Sequence, residues 1–385
     1  MVKRVKRGDV LFNKSVNVLK SLVLKNGGIT ATPNAGGYPF VYTRDGVINS
    51  KALNRVGLVK ESERFYYFMK KFTKISDYGE VFQRYNLNGL PSVTRKNQND
   101  NEGLLLHGIY DTYTFNKDKG FLQEMWPVIV EVVNLIKKYS KRGLVKTERS
   151  IHEFYRLENG FELWANCACC RGVKDASEAA KALGYDKEHE EWNKIYEKLH
   201  KNILEKLFDK KQGIFIKNPR YRKAPDVSQL APFYFELVED KKLLRKTLKY
   251  IEEHLTNKEI GGIRRFRRFE VCKDWHWYTG GSGSWLPFTL WMAGFYKKLG
   301  NKKKYNEYLG WVKKIANINN NKLPEHIAIE EEYHLWKDHE IEFNARIINA
   351  MKRTEKSIKE FRNEKIVFWA NPLGWSHAEY VMLKS

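Results

Sequence analysis

The segment YPFVYTRD sets Arg44 and Asp45 side by side, directly behind Tyr38, Phe40 and Tyr42. A guanidinium offers a planar fork of donors, and a carboxylate accepts through two oxygens. Together they can hold neighbouring hydroxyls of a sugar. QNDNEG adds a second amide and carboxylate, Gln98 and Asp100. GGIRRF places Arg264 and Arg265 on a glycine-loosened turn, and Trp275, Trp277 and Trp285 surround another glycine-rich stretch. Clefts that stack sugars or bases use such flat rings. Glu153 and Glu325 stand in two further loops. Two carboxylates brought across a sugar-binding cleft are the minimal apparatus for glycoside hydrolysis. Singly, each feature has a plainer reading: a structural ion pair, a solvated loop glutamate, a core tryptophan. The collection and its order carry the signal.

These loops need a scaffold. Apolar residues recur at helical spacing almost throughout, as in Phe121, Met125, Val128, Val132 and Leu135, or Trp192, Ile195, Leu199, Ile203 and Leu207. The same period runs from Phe161 to Leu183, where Gly184 signals a stop. Further helices read at about 8–23, 45–55, 60–75, 102–114, 240–254, 285–299 and 303–317. Strand alternation is scarce, GIFIK being a short exception. A solenoid of so many helices should show a repeated unit, and none is visible. Long, dissimilar loops instead suit one mouth of a closed, double-layered helical barrel, where function collects.

Composition narrows the class. The 385 residues include 11 Trp, 21 Tyr and 21 Phe, more than packing alone requires. The net charge of +23 is spread along the chain and clusters only briefly, as in KRVKR and RRFRRF, which reads as a solvated basic surface rather than a nucleic-acid footprint. Cys167, Cys169, Cys170 and Cys272 form no paired CxxC motif, so buried thiols in a reducing compartment are expected, not zinc. The Glu331/His334 spacing has no partner motif and reads as a helix face. WPVIVEVVNLI is too short to span a bilayer, and the N-terminus lacks a long apolar run. A soluble, cytoplasmic protein is expected.

In order along the chain, YPFVYTRD, QNDNEG, GGIRRF with GGSGSWLPFTLW, LPEHI and NPLGWSHAEYV resemble the motif segments of glycoside hydrolase family 15, the glucoamylase-type exo-α-glucosidases, which also includes some trehalases. The likeness covers most of the chain, from about Tyr38 to Tyr380. It implies an all-α, (α/α)6 double-layered barrel forming a single catalytic domain over 1–385, without the β-sandwich that precedes the barrel in many prokaryotic relatives. It also implies an inverting hydrolase that releases glucose from α-linked gluco-oligosaccharides, with neither metal nor organic cofactor. Arg44, Asp45 and Arg265 would grip the terminal glucose, Tyr38 would lie against the reaction centre, and Gln98, Asp100, Trp285 and Trp375 would complete the site. Glu325 would be the general base. The general acid aligns at Glu153, with Glu158 as the fallback.

There are departures from the family pattern. Tyr42 replaces a Trp, His152 stands before Glu153 where Trp is usual, and His326 replaces a Gln. The stretch from Glu325 to Trp375 is long and charged. The missing sandwich favours short oligosaccharides or a disaccharide over starch. Alternatives from the same residues are a trehalase or related α-glucosidase, a glycan-binding barrel that needs the clamp but not both glutamates, and a nucleic-acid binder that needs neither.

Overall fold

The computed structural model describes residues 9–92, 97–267, 283–333, 352 and 357–385. Its main helices alternate between two layers. The inner layer holds α2 (Thr43–Arg55), α5 (Asp100–Asn116), α8 (Leu163–Leu183), α10 (Ala231–Tyr234), α12 (Leu286–Lys298) and α14 (Gly374–Lys384). The outer layer holds α1 (Val10–Ser21), α3 (Val59–Thr73), α6 (Lys119–Tyr139), α9 (Asp186–Lys206), α11 (Lys241–Leu255) and α13 (Lys302–Ile318). Consecutive helices form hairpins, and α1 packs on α14 to close the ring. The single turns α4 (Ile75–Tyr78) and α7 (Tyr155–Glu158) lie in loops.

The layers follow from the residues. Outer helices are amphipathic: α9 buries Trp192, Leu199 and Ile203 and turns its charges outward. Inner helices are covered nearly all round, so α8 runs through Leu163 to Ala180 with few exposed positions. The backbones of α5 and α8 meet at glycine, where a Cβ on Gly103 would overlap the Ala168–Cys169 peptide. Cys167, Cys169 and Cys170 are buried free thiols, Cys169 at this seam beside Asn99 O and Cys170 facing Tyr196 O of α9; Cys272 lies outside the described residues. Aromatic rings close the barrel's axis: Trp164 stacks on Trp291 at 5.3 Å, and Tyr234 lies 4.6 Å from Trp291.

Strands are short pairs, β1 (Val41–Tyr42) with β2 (Arg84–Tyr85), β3 (Ser140–Lys141) with β4 (Leu144–Val145), and β5 (Phe208–Asp209) with β6 (Ile214–Phe215). One larger sheet has the order β7 (Ser284–Trp285), β8 (His326–Ile329), β10 (Glu364–Trp369), β9 (Lys359–Phe361), all antiparallel. Strands are scarce, as expected from the sequence, but one of them was not foreseen. EKIVFW forms a six-residue strand whose burial rises toward Trp369, and its register places Trp369 and Trp285 on either side of His326. No helix among the described residues is long and apolar enough to cross a membrane.

Candidate active site

The first turns of the inner helices meet at one rim. Extended Tyr42 caps α2, so Arg44 and Asp45 fall in its first turn, and Asp100 opens α5. Carboxylates are favoured there by the positive end of the helix dipole. Arg44 Nε donates to Asp100 Oδ2 at 2.9 Å, and Trp164 Nε1, from the first turn of α8, donates to the same oxygen at 3.0 Å. Arg44 Nη2 donates to the Ser150 carbonyl at 2.9 Å, and Nη1 to Glu153 Oε1 at 3.4 Å. Burial opposes the Arg44 charge, but Asp100 and Glu153 hold it firmly protonated. Gln98 Nε2 also donates to Ser150 O, at 2.7 Å.

Glu325 arrives from the opposite side, immediately before β8. Its N–H donates to the carbonyls of Trp369 and Ala370, and its own carbonyl accepts from Leu286 N. Burial pushes its carboxyl up to about 8; Arg265 pulls it down, Glu153 pushes it up and Arg44 pulls it down. Asp45 is raised to about 7 by burial, against the pull of Arg44 and with the push of Glu325 and Glu153. Arg44, Asp45, Glu153, Arg265 and Glu325, five charged groups from four segments, therefore share one field. The side chains of Glu153 and Glu325 keep 21% and 16% of their surface open, so both remain partly accessible.

Aromatic rings wall the cleft. Arg265 lies over Trp285 at 4.3 Å, and Trp285 stacks on His326 at 4.7 Å. Burial and Arg265 lower His326 to about 3, so the stack is neutral. Trp369 Nε1 donates to Tyr38 OH at 2.7 Å, and Tyr38 meets Tyr42 edge-on. Tyr42 OH accepts from Arg84 Nη1 at 3.0 Å. Arg264 turns away to Glu259 at 3.1 Å. Among the described residues no group of three or more His, Cys, Asp or Glu is placed to hold a metal ion.

Two expected site residues are placed elsewhere. Trp375 packs edge-on against Phe288 and donates to Glu379 Oε1 at 3.0 Å, inside the aromatic interior. Glu158 is fully buried and accepts three backbone N–H groups of its own loop, from Ser150 and His152 at 2.8 Å and Phe154 at 3.0 Å. Trp275, Trp277 and His334 lie outside the described residues. The site also contains residues that the sequence reading missed. Trp369 was signalled by the apolar run IVFW, and Lys217 by a lysine ending the apolar run GIFI; Trp164 was signalled only as a helix-face residue, and Ser150 carried no local signal.

Comparison with known proteins gives a consistent picture. The model of the bacterial alpha-L-rhamnosidase six-hairpin glycosidase domain matches residues 98–261. An uncharacterized glycosyl hydrolase of Methanocaldococcus jannaschii is 27% identical over 77% of this chain and 46% of its own length. Trehalase 1 of Sulfolobus acidocaldarius is 23% identical over 81% of this chain and 58% of its own. The chain thus spans about half the length of the curated relatives it matches. Among solved structures, a glycosidase superposes with a TM-score of 0.69 at 17% identity, covering 97% of this chain and 95% of the other. A bacterial glucoamylase in complex with acarbose gives 0.67 at 16%, covering 97% and 54%. In fold the chain is similar to these six-hairpin helical barrels, and in sequence to a rhamnosidase six-hairpin glycosidase domain, a glycosyl hydrolase and trehalases.

Proposed function

We propose that this chain hydrolyses α-linked glucosides from the non-reducing end with inversion at the anomeric carbon. The supporting observation is the convergence of Arg44, Asp45, Glu153, Arg265 and Glu325 in one cleft, with two partly open carboxylates that feel each other's charge. Arg44 and Asp45 hold vicinal hydroxyls of the terminal glucose, and Arg265 flanks the same unit over Trp285. Tyr38 lies against the reaction centre. Glu153, protonated, gives its proton to the glycosidic oxygen as the bond breaks. Glu325, ionised, takes a proton from the water that attacks the opposite face. Because burial raises the Glu325 carboxyl to about 8, its ionised fraction and with it hydrolysis should grow as the pH rises toward 8. The substrate is a short α-linked gluco-oligosaccharide, the charge pattern does not serve nucleic acid, and the protein works in the cytoplasm without a metal or organic cofactor.

Trehalose is the second candidate, because two of the relatives are named trehalases. A panel of maltose, longer α-1,4 and α-1,6 gluco-oligosaccharides and trehalose, with glucose release as readout, tests both. Release from the oligosaccharides supports the first reading, and release from trehalose alone supports the second. Binding of these sugars without release would make the chain a glycan-binding barrel.

A further inference from the structure

We propose that Glu158, anchored by Lys217, is a positioning residue that shapes the loop carrying Glu153. The inference rests on the reading of Glu153 as the proton donor. The loop is pinned at its base, where Thr147 and Gly160 exchange backbone hydrogen bonds of 2.9 and 2.8 Å. Between those points it has little regular structure of its own. Its alternate N–H groups, at Ser150, His152 and Phe154, instead converge on the two oxygens of Glu158. A carboxylate can accept all three because it carries no donor.

Glu153 sits between two of these anchored residues with φ at +60°, a left-handed conformation that a non-glycine residue keeps only when its surroundings impose it. Its N–H donates to Ser150 O at 3.0 Å, the oxygen that also accepts from Arg44 and Gln98. The loop is thereby registered against the sugar clamp. Glu158 in turn is held from below. Lys217, fully buried, lies 3.6 Å from Glu158, 3.2 Å from Glu162 and 3.3 Å from Asp226. Asp226 closes the network by pairing with His152 Nε2 at 2.9 Å. A buried ammonium among three carboxylates costs desolvation energy that a packed apolar core would avoid. Its contacts tie the end of the β5–β6 hairpin, the turn at Asp226 and the Glu153 loop into one unit.

Glu162 provides the internal control. It is equally buried and shares Lys217, but its other oxygen caps α8 at Ala165 N and makes no bond to the 150–154 segment. Glu158→Gln replaces one acceptor oxygen with an NH2 that faces a backbone donor, so the loop must shift. Glu162→Gln disturbs the same lysine without touching the loop. The experiment measures kcat and KM on maltose and on α-glucosyl fluoride, whose leaving group needs no proton. It also measures deuterium uptake by the 148–156 backbone.

For Glu158→Gln, kcat on maltose should fall about 100-fold with KM within about threefold, while fluoride hydrolysis stays within about threefold of the parent. Uptake by 148–156 should quicken. Glu162→Gln should leave both substrates and that uptake near the parent values. Retained maltose turnover in Glu158→Gln, or equal losses on both substrates in both variants, would overturn the positioning role. If the parent protein cleaves no α-glucoside, the hydrolase reading fails. Exchange then still decides whether Glu158 holds the loop: unchanged uptake in Glu158→Gln overturns it, and faster uptake confined to 148–156 upholds it.

Discussion

The two carboxylates of the cleft are carried in opposite ways. Glu325 is fixed by backbone: its N–H and carbonyl are both bonded, and the chain runs straight from it into β8 of a four-stranded sheet. Glu153 hangs on an irregular loop whose shape depends on the side chains of Glu158 and Lys217. A backbone-held residue tolerates changes among its side-chain neighbours. A residue held by the side chain of a buried carboxylate inherits the perturbations of that carboxylate. The base is therefore expected to be rigid and the acid to be tunable.

The largest effects should come from the carboxylates themselves. Glu325→Gln keeps shape but cannot take a proton, and hydrolysis of maltose should fall by roughly 10²–10⁴-fold. Glu153→Gln should do comparable harm on maltose and spare α-glucosyl fluoride. A carboxyl near 8 is also a competent proton donor, so the same pair of substrates tests the roles in both directions. A fluoride-sparing Glu325→Gln would exchange the two assignments.

Next comes the clamp. Arg44→Ala removes the charged partner of Asp100 and Glu153 and the donor to Ser150. It should cost about 2–4 kcal/mol of transition-state binding, roughly 30- to 1,000-fold in kcat/KM. Circular dichroism should stay helical. A near-parental kcat/KM would remove the pair from the site.

A smaller, directional effect concerns pH. Glu153 pushes the Glu325 carboxyl up and Arg265 pulls it down. For a base that must be ionised, activity rises with pH through its pKa. Replacing Arg265 by Gln removes the positive neighbour, so the acidic limb of kcat/KM on α-glucosyl fluoride should move to higher pH. A limb that stays in place would mean that the two groups are not electrostatically coupled.

The smallest catalytic effect is expected at Trp375. Because it bonds Glu379 and packs on Phe288 away from the carboxylates, Trp375→Phe should cost stability, about 1–3 kcal/mol. KM should change by less than about twofold. A large rise in KM with an unchanged melting temperature would return Trp375 to the substrate-binding surface.

The contrast between the two carriers also explains what the sequence disclosed. Helix positions were legible because the outer helices obey the 3.6-residue period, as α6 and α9 do, and the inner ones follow at hairpin spacing. Arg44, Asp45, Asp100 and Glu325 were legible because each is positioned by the element that immediately follows it, so a contiguous motif carries the geometry. The Glu153 loop was harder to read. Its conformation is set by Glu158, Lys217 and Asp226, the last two far along the chain, and no local spacing encodes such a contact. For the same reason the three loop N–H groups that Glu158 accepts were not legible in its spacing from Glu153. The packing of Trp375 on Phe288 and Glu379 was not legible, because a motif match specifies a tryptophan without saying which side of the helix it faces.

Inversion tests the central claim most directly, because it requires acid and base on opposite faces of the sugar. Proton NMR of maltose hydrolysis in its first minutes, before mutarotation, reports the anomer released from the non-reducing unit. The expected product is β-glucose, appearing ahead of the equilibrium mixture. Release of α-glucose first would contradict a single displacement between Glu153 and Glu325.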